Sequence, residues 1–186
     1  MKINTFGLFM VTLIVTYSFS LKIEKMDTIF DFSKTSKIDN WKLVNDDVMG
    51  GVSNASFEIN SEGNAEFKGT VSTEKNGGFA SVRYRFNEIN ITGKTTVFIR
   101  LKGDSKSYQF RVKDKSNNYY SYITSFSTSN HWETVKIKLQ DLYPSFRGNK
   151  LNKSNFKASS IEEISFLIAN KKNETFKLII DKIEIE

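Results

Sequence analysis

After Asp47 the chain alternates apolar and polar residues in run after run, and no stretch sustains a 3.6-residue period. Phe57-x-Ile59, Ala65-x-Phe67-x-x-x-Val71, Val82-x-Tyr84-x-Phe86 and Val97-x-Ile99-x-Leu101 each place apolar side chains on one face of a strand. Tyr108-x-Phe110-x-Val112, Tyr120-x-Tyr122, Val135-x-Ile137-x-Leu139, Ile164-x-Phe166-x-Ile168 and Phe176-x-Leu178-x-Ile180 continue the pattern. Turn-forming residues separate these runs, as at Glu62-Gly63-Asn64, Lys75-Asn76-Gly77-Gly78, Thr92-Gly93-Lys94, Gly103-Asp104-Ser105 and Ser116-Asn117-Asn118. Nine or more short strands at this spacing predict an all-β fold, a β-sandwich of jelly-roll type. Residues 139–143 and 159–163 are each expected to hold a helical turn, the second with Glu162 and Glu163 in its first turn. With no repeat, linker or low-complexity tract, residues 27–186 read as one domain.

Composition removes several kinds of chemistry. The 186 residues include no Cys and one His, His131. There is therefore no disulfide framework, zinc–cysteine site or thiol nucleophile, and at most one imidazole for acid–base work. His131 sits in a polar Ser-Thr-Ser-Asn context without any Gly-x-Ser-x-Gly elbow in the chain, and reads as a loop residue. The charge of +6 comes from 22 Lys and 5 Arg against 21 acids. Lysines are dispersed among Asp and Glu, without a basic stripe carrying stacking aromatics, so nucleic-acid binding is not expected. The arginines, Arg83, Arg85, Arg100, Arg111 and Arg147, all fall within or beside expected strands. A guanidinium offers a planar, multi-donor fork that lysine does not replace at a fixed site.

The N-terminus differs from the rest. Lys2, the apolar run 6–15 and the small-x-small end Ser18-Phe19-Ser20 describe a secretory signal peptide over residues 1–20. The expected mature chain is then 21–186, exported to the periplasm or the extracellular space, and it holds no apolar run of the roughly 20 residues a membrane span requires.

Two glycine-rich knots stand out. The first is Asn45-Asp46-Asp47-Val48-Met49-Gly50-Gly51-Val52-Ser53 and the second Gly77-Gly78-Phe79-Ala80-Ser81-Val82-Arg83. Either can cradle a ligand or simply turn the chain. Adjacent residues of an extended chain point to opposite faces, so Asp46 and Asp47 do not form a catalytic carboxylate pair. Three readings stay open for them: an Asx turn onto the Gly50-Gly51 amides, a ligand to a cation or an arginine, or a purely structural role. With backbone carbonyls they supply only part of a Ca²⁺ shell, and no EF-hand loop is present, so no metal or cofactor is expected. Trp41 and Trp132 are either core anchors or stacking platforms. Arg100 on one strand and Gln109 with Arg111 on another would form a basic face if those strands were neighbours.

Together with Trp41, Phe67-Lys68-Gly69, Leu101-Lys102-Gly103-Asp104, Tyr108, Trp132 and Pro144-Ser145-Phe146-Arg147-Gly148, the two knots resemble the complex I intermediate-associated protein 30 family along the whole expected mature chain. The resemblance implies a galactose-binding-like jelly-roll and a non-catalytic role, since mitochondrial members act as assembly chaperones for respiratory complex I. Ser105 stands where members often carry glycine, and the secretory segment sets the chain apart from a matrix factor. The candidate binding residues are Asp46, Asp47, Met49, Gly50, Gly51 and Ser53 in the first knot, and Gly77, Gly78, Phe79 and Arg83 in the second. Arg100, Asp104, Tyr108, Arg111, Trp132 and Arg147 complete the set. The expected function is a non-enzymatic binding module that engages a protein partner, with a secreted carbohydrate-binding module as the alternative.

Overall fold

The computed structural model describes residues 26–186; the secretory segment expected over 1–20 lies outside them. In chain order the strands are β1 (Asp27–Asp31), β2 (Trp41–Leu43), β3 (Asn54–Ile59), β4 (Ala65–Val71), β5 (Ala80–Asn90), β6 (Thr96–Lys102) and β7 (Ser107–Lys113). They continue with β8 (Ser121–Ser127), β9 (Trp132–Lys138), β10 (Tyr143–Phe146), β11 (Asn149–Lys150), β12 (Ser160–Ile168) and β13 (Glu174–Ile185). One sheet runs β3-β4-β13-β6-β9, with β1 also on β13; the other runs β11-β10-β8-β7-β12-β5-β2. Every pairing is antiparallel, and the two sheets form the jelly-roll β-sandwich that the alternation predicts and the galactose-binding-like fold that the family resemblance implies.

The core lies between the inner faces. Phe67, Leu178, Ile180, Ile99 and Leu101 come from the first sheet and meet Val82, Tyr108, Phe110, Ile164 and Phe166 from the second, all buried. At one end, Trp41 stacks on Tyr84 (ring centroids 4.8 Å apart) and on Phe57 (5.0 Å), with Phe30 edge-on at 5.5 Å. Each such side chain, removed from water, contributes roughly 1.5–3 kcal/mol, which explains how a chain without disulfides holds together.

Two local expectations meet different outcomes. Leu139–Asp141 is a 3₁₀ turn, as anticipated. Ser159 and the residues after it are not helical: β12 begins at Ser160, because Ile161, Ile164, Phe166 and Ile168 all find core positions once the segment is extended. Its pairing with β5 shifts register between Ile161 and Glu163, and this bulge sets Glu163 opposite Arg85. At the turn between β6 and β7, Ser105 takes φ 62°, a left-handed conformation that disfavours a side chain. Ser105→Gly is therefore expected to leave stability unchanged or raise it by up to about 1 kcal/mol in thermal unfolding.

Candidate functional site

The two glycine knots meet at one carboxylate. Asp46 opens a 3₁₀ turn, Asp46–Met49, and is completely buried. Its carboxylate accepts the Ser53 N–H at 3.0 Å and the Ser53 hydroxyl, then the Gly78 N–H at 2.6 Å and the Phe79 N–H at 3.2 Å. Ser53 Oγ in turn accepts the Ser72 N–H at 3.0 Å. Burial opposes ionisation, but the hydrogen bonds from Ser53, Gly78 and Phe79 more than offset it and hold the Asp46 carboxyl below its ordinary value. The glycines are required because the chain closes tightly on this carboxylate. A Cβ at Gly51 would lie 2.3 Å from Asp46 Oδ1, and one at Gly77 would lie 2.6 Å from Oδ2.

Asp46, Gly51, Ser53, Gly77, Gly78 and Phe79 thus form an internal lock between two loops. The Asx expectation takes a different form: the Gly51 amide bonds the Asp46 carbonyl and Gly50 that of Asp47, while the Asp46 side chain reaches the other knot. Asp47 is exposed, and Met49 closes the turn. Asp104 is likewise turned inward, accepting the Tyr108 hydroxyl at 2.9 Å and the Lys177 N–H at 2.9 Å while pairing with Lys106 at 2.8 Å. Desolvation, then the Asp104 charge, pushes the Tyr108 hydroxyl far up, so it stays a neutral donor.

Arg100 and Arg111 do not share a face. Arg100 belongs to β6 in the first sheet and Arg111 to β7 in the second. Arg100 pairs with Asp181 at 2.9 Å and lies over the half-exposed Trp132 ring at 5.4 Å. Trp41 is a core anchor, whereas Trp132 stands 37% exposed. His131 is an exposed loop residue whose backbone N–H approaches Ser129 Oγ.

What the structure does bring together is Arg83 with Arg111, on the outward face of the seven-stranded sheet. The core takes Val82 and Tyr84 of β5, Ile164 and Phe166 of β12, and Phe110 and Val112 of β7. Alternation then turns Arg83, Arg85, Glu163, Ser165, Gln109, Arg111 and Lys113 to the other side. Arg85 Nε donates to Glu163 at 2.7 Å, and Arg83 Nε approaches the same carboxylate at 3.6 Å. The Glu163 side chain is 2% exposed. Arg111 donates through both Nε (3.1 Å) and Nη2 (2.7 Å) to the amide oxygen of Gln109. Burial, reinforced by the Arg83 charge, pulls the Arg111 guanidinium down to about 10, and burial also lowers Lys113. Of the four cations on this face, Arg83 and Arg85 reach Glu163 directly, and Lys113 feels its charge and that of Asp114 while donating to the Asn118 carbonyl. Arg111 reaches no carboxylate among the described residues; Glu88 of β5 and Glu162 of β12 pair instead with Lys115.

A depression of about 640 Å³ lies on the opposite sheet, but its charges are balanced. There Lys68 pairs with Glu58 and Glu66, Lys177 with Glu66, and Lys106 with Asp104. The arginine face lacks that balance, which makes it the candidate site. Sequence reasoning listed Arg83 and Arg111 but missed Glu163, Ser165 and Lys113. The available signal was an acid embedded in the otherwise apolar run from Ile161 to Ile168. At the far edge of this sheet, cations cover three rings, of which Phe146 is exposed and Tyr143 and Tyr120 are half-buried: Lys150 over Tyr143 at 5.2 Å, Arg147 over Phe146 at 5.3 Å and Lys153 over Tyr120 at 5.4 Å. No helix among the described residues is long and apolar enough to cross a membrane.

Comparison with known proteins agrees with this architecture. The chain is similar to a family 11 carbohydrate-binding module from Clostridium thermocellum in complex with a β-1,3-1,4-mixed-linked tetrasaccharide (TM-score 0.67, 18% identity, covering 86% of this chain and 94% of that one). It also resembles the family 11 module of the cellulosomal cellulase Lic26A-Cel5E of the same organism (TM-score 0.65, 17% identity, 87% and 94%). A third similar structure is the agarase AgWH50C (TM-score 0.61, 13% identity, covering 88% of this chain and 24% of that one). At these identities the likeness is one of fold. In sequence, the chain is 21% identical to the mitochondrial complex I intermediate-associated protein 30 of Mus musculus over 88% of its own length, and it spans 57% of that relative. The model of the family described as complex I intermediate-associated protein 30 matches residues 30–180, and the chain belongs to that family.

Proposed function

We infer that the protein is a non-catalytic binding module that holds a protein partner against the outward face of its seven-stranded sheet. The observation that carries this reading is the excess of cations around Glu163, with Arg111 fixed in place by a neutral amide. Family membership supports it: the murine relative is named for association with a complex I intermediate. A photo-reactive residue in place of Ser125, which is exposed and lies opposite Gln109, is expected to cross-link one partner in the cells that make the protein. The same residue in place of Lys138, on the other sheet, is expected to give no such product. Equal cross-linking from both positions, or none from Ser125, would count against this face.

Carbohydrate binding is the second reading, favoured by Tyr143 in the row of Arg111 and by the ligand of the C. thermocellum module. Calorimetric titration with β-1,3-1,4-glucan separates the two. Saturable heat that disappears in Arg111→Ala would replace the first reading with this one.

A further inference from the structure

Arg111 is positioned without being neutralised. Gln109 occupies the place where a structural ion pair would set a carboxylate, and its amide oxygen grips the Nε–Nη2 edge of the guanidinium. No carboxylate lies within ion-pair distance of Arg111 among the described residues. Its cross-strand neighbour Ile123 and Gln109's neighbour Leu167 are both buried, so the fork lies on an apolar bed where charge interactions are strengthened. Across the sheet, register aligns Lys42, Arg83, Ser165 and Arg111 in one row. Strands stand about 4.8 Å apart, so the two arginines flank Ser165 with roughly 10 Å between their backbones. The short serine side chain leaves a notch between two long cationic ones.

We propose that this notch is a carboxylate receptor, and that its occupant is an acidic side chain of an extended segment in the partner protein. The proposal rests on the reading of this face as the binding surface. Glu163 shows the chemistry one rung away, where a carboxylate sits between the Nε groups of Arg85 and Arg83. A second carboxylate over Ser165 meets the remaining N–H donors of Arg83 and Arg111 and relieves their mutual repulsion. An acidic polypeptide fits better than an acidic glycan. The outward residues of β5, β12 and β7 around the notch include no aromatic ring for a sugar to stack on, and Tyr143, in the same row two strands beyond Arg111, already carries Lys150 over its ring.

The test is binding of poly-L-glutamate to the purified protein, with polygalacturonate as the acidic glycan and three variants for comparison. Arg111→Gln removes the fork. Gln109→Glu neutralises Arg111 with the protein's own carboxylate from the Nε–Nη2 edge, so it is expected to keep the fold at least as stable. Lys138→Gln makes the same change in net charge as Gln109→Glu, but on the opposite sheet. Arg111→Gln and Gln109→Glu are each expected to weaken poly-L-glutamate binding at least about tenfold, and Lys138→Gln less than about twofold. Thermal unfolding of each variant confirms that it is folded.

Equal weakening by Gln109→Glu and Lys138→Gln overturns the proposal, because general charge attraction then suffices. Binding of polygalacturonate without poly-L-glutamate overturns it in favour of a glycan. If poly-L-glutamate is ignored while Ser125 still cross-links a partner, the face stands as the binding surface and the carboxylate receptor falls. Loss of both results removes both readings.

Discussion

Asp46→Asn is expected to destabilise the protein by about 3–5 kcal/mol, the cost of leaving buried N–H donors facing an amide that offers one acceptor where a carboxylate offered two. For a domain of this size that is a fall of roughly 10 °C in the unfolding midpoint, readable by circular dichroism. Gly51→Ala and Gly77→Ala are expected to fall in the same range, since each Cβ would press on the same carboxylate. A change below about 1 kcal/mol in Asp46→Asn would show that the loops hold their shape without it.

The lock also has a pH signature. The folded protein holds the Asp46 carboxyl below its ordinary value of 3.8. Its contribution is therefore complete above that value and is lost as pH falls through the lower folded one. Glu66, hydrogen-bonded by Lys177 and Lys68, and Glu162, held by the Ser116 amide and Lys115, are lowered too and act in the same direction. Stability of the native protein should thus fall on the acid side of pH 4, and less steeply in Asp46→Asn, the difference being Asp46's own share.

Trp41→Ala is the second large effect, expected at about 3–5 kcal/mol from lost burial and the cavity left among Phe30, Phe32, Phe57 and Tyr84. Trp41→Phe should cost much less, since the indole N–H is buried without a hydrogen-bond partner and its loss leaves nothing unpaired. Trp132→Ala removes a half-exposed ring and one contact with Arg100, and is expected to cost no more than about 1 kcal/mol. Urea unfolding of the three variants checks this order, and equal costs for Trp41→Ala and Trp132→Ala would contradict it.

The fold was legible because period-two alternation is a local signal: Tyr108, Phe110 and Val112 face the core as their spacing says they must. Where the chain departs from strict alternation, local reasoning fails. The acids Glu162 and Glu163 suggested a helix start, yet Glu163 is a strand residue whose charge is matched by Arg85 from a segment 78 residues away. The same holds for the candidate site. Arg83, Arg100 and Arg111 look equivalent in sequence, and only the order of strands sends Arg100 to one sheet and the other two to a shared face. In sequence Asp46 is a candidate binding residue with a structural role equally open, and the role of its carboxylate depends on where Gly78 and Phe79 arrive.

The lock at Asp46 also bears on how this module can diversify. Its two loops are bound through one carboxylate, Asp46 reaching Gly78 across 32 positions of sequence, so they form a single unit of inheritance. A change in the length of either would strand donors belonging to the other. The turn at Ser116-Asn117-Asn118 is free of that coupling to Asp46, and loops of its kind are where new sequence can be inserted one at a time. Grafting the glycine loops onto a related sandwich should therefore succeed only when both are moved together.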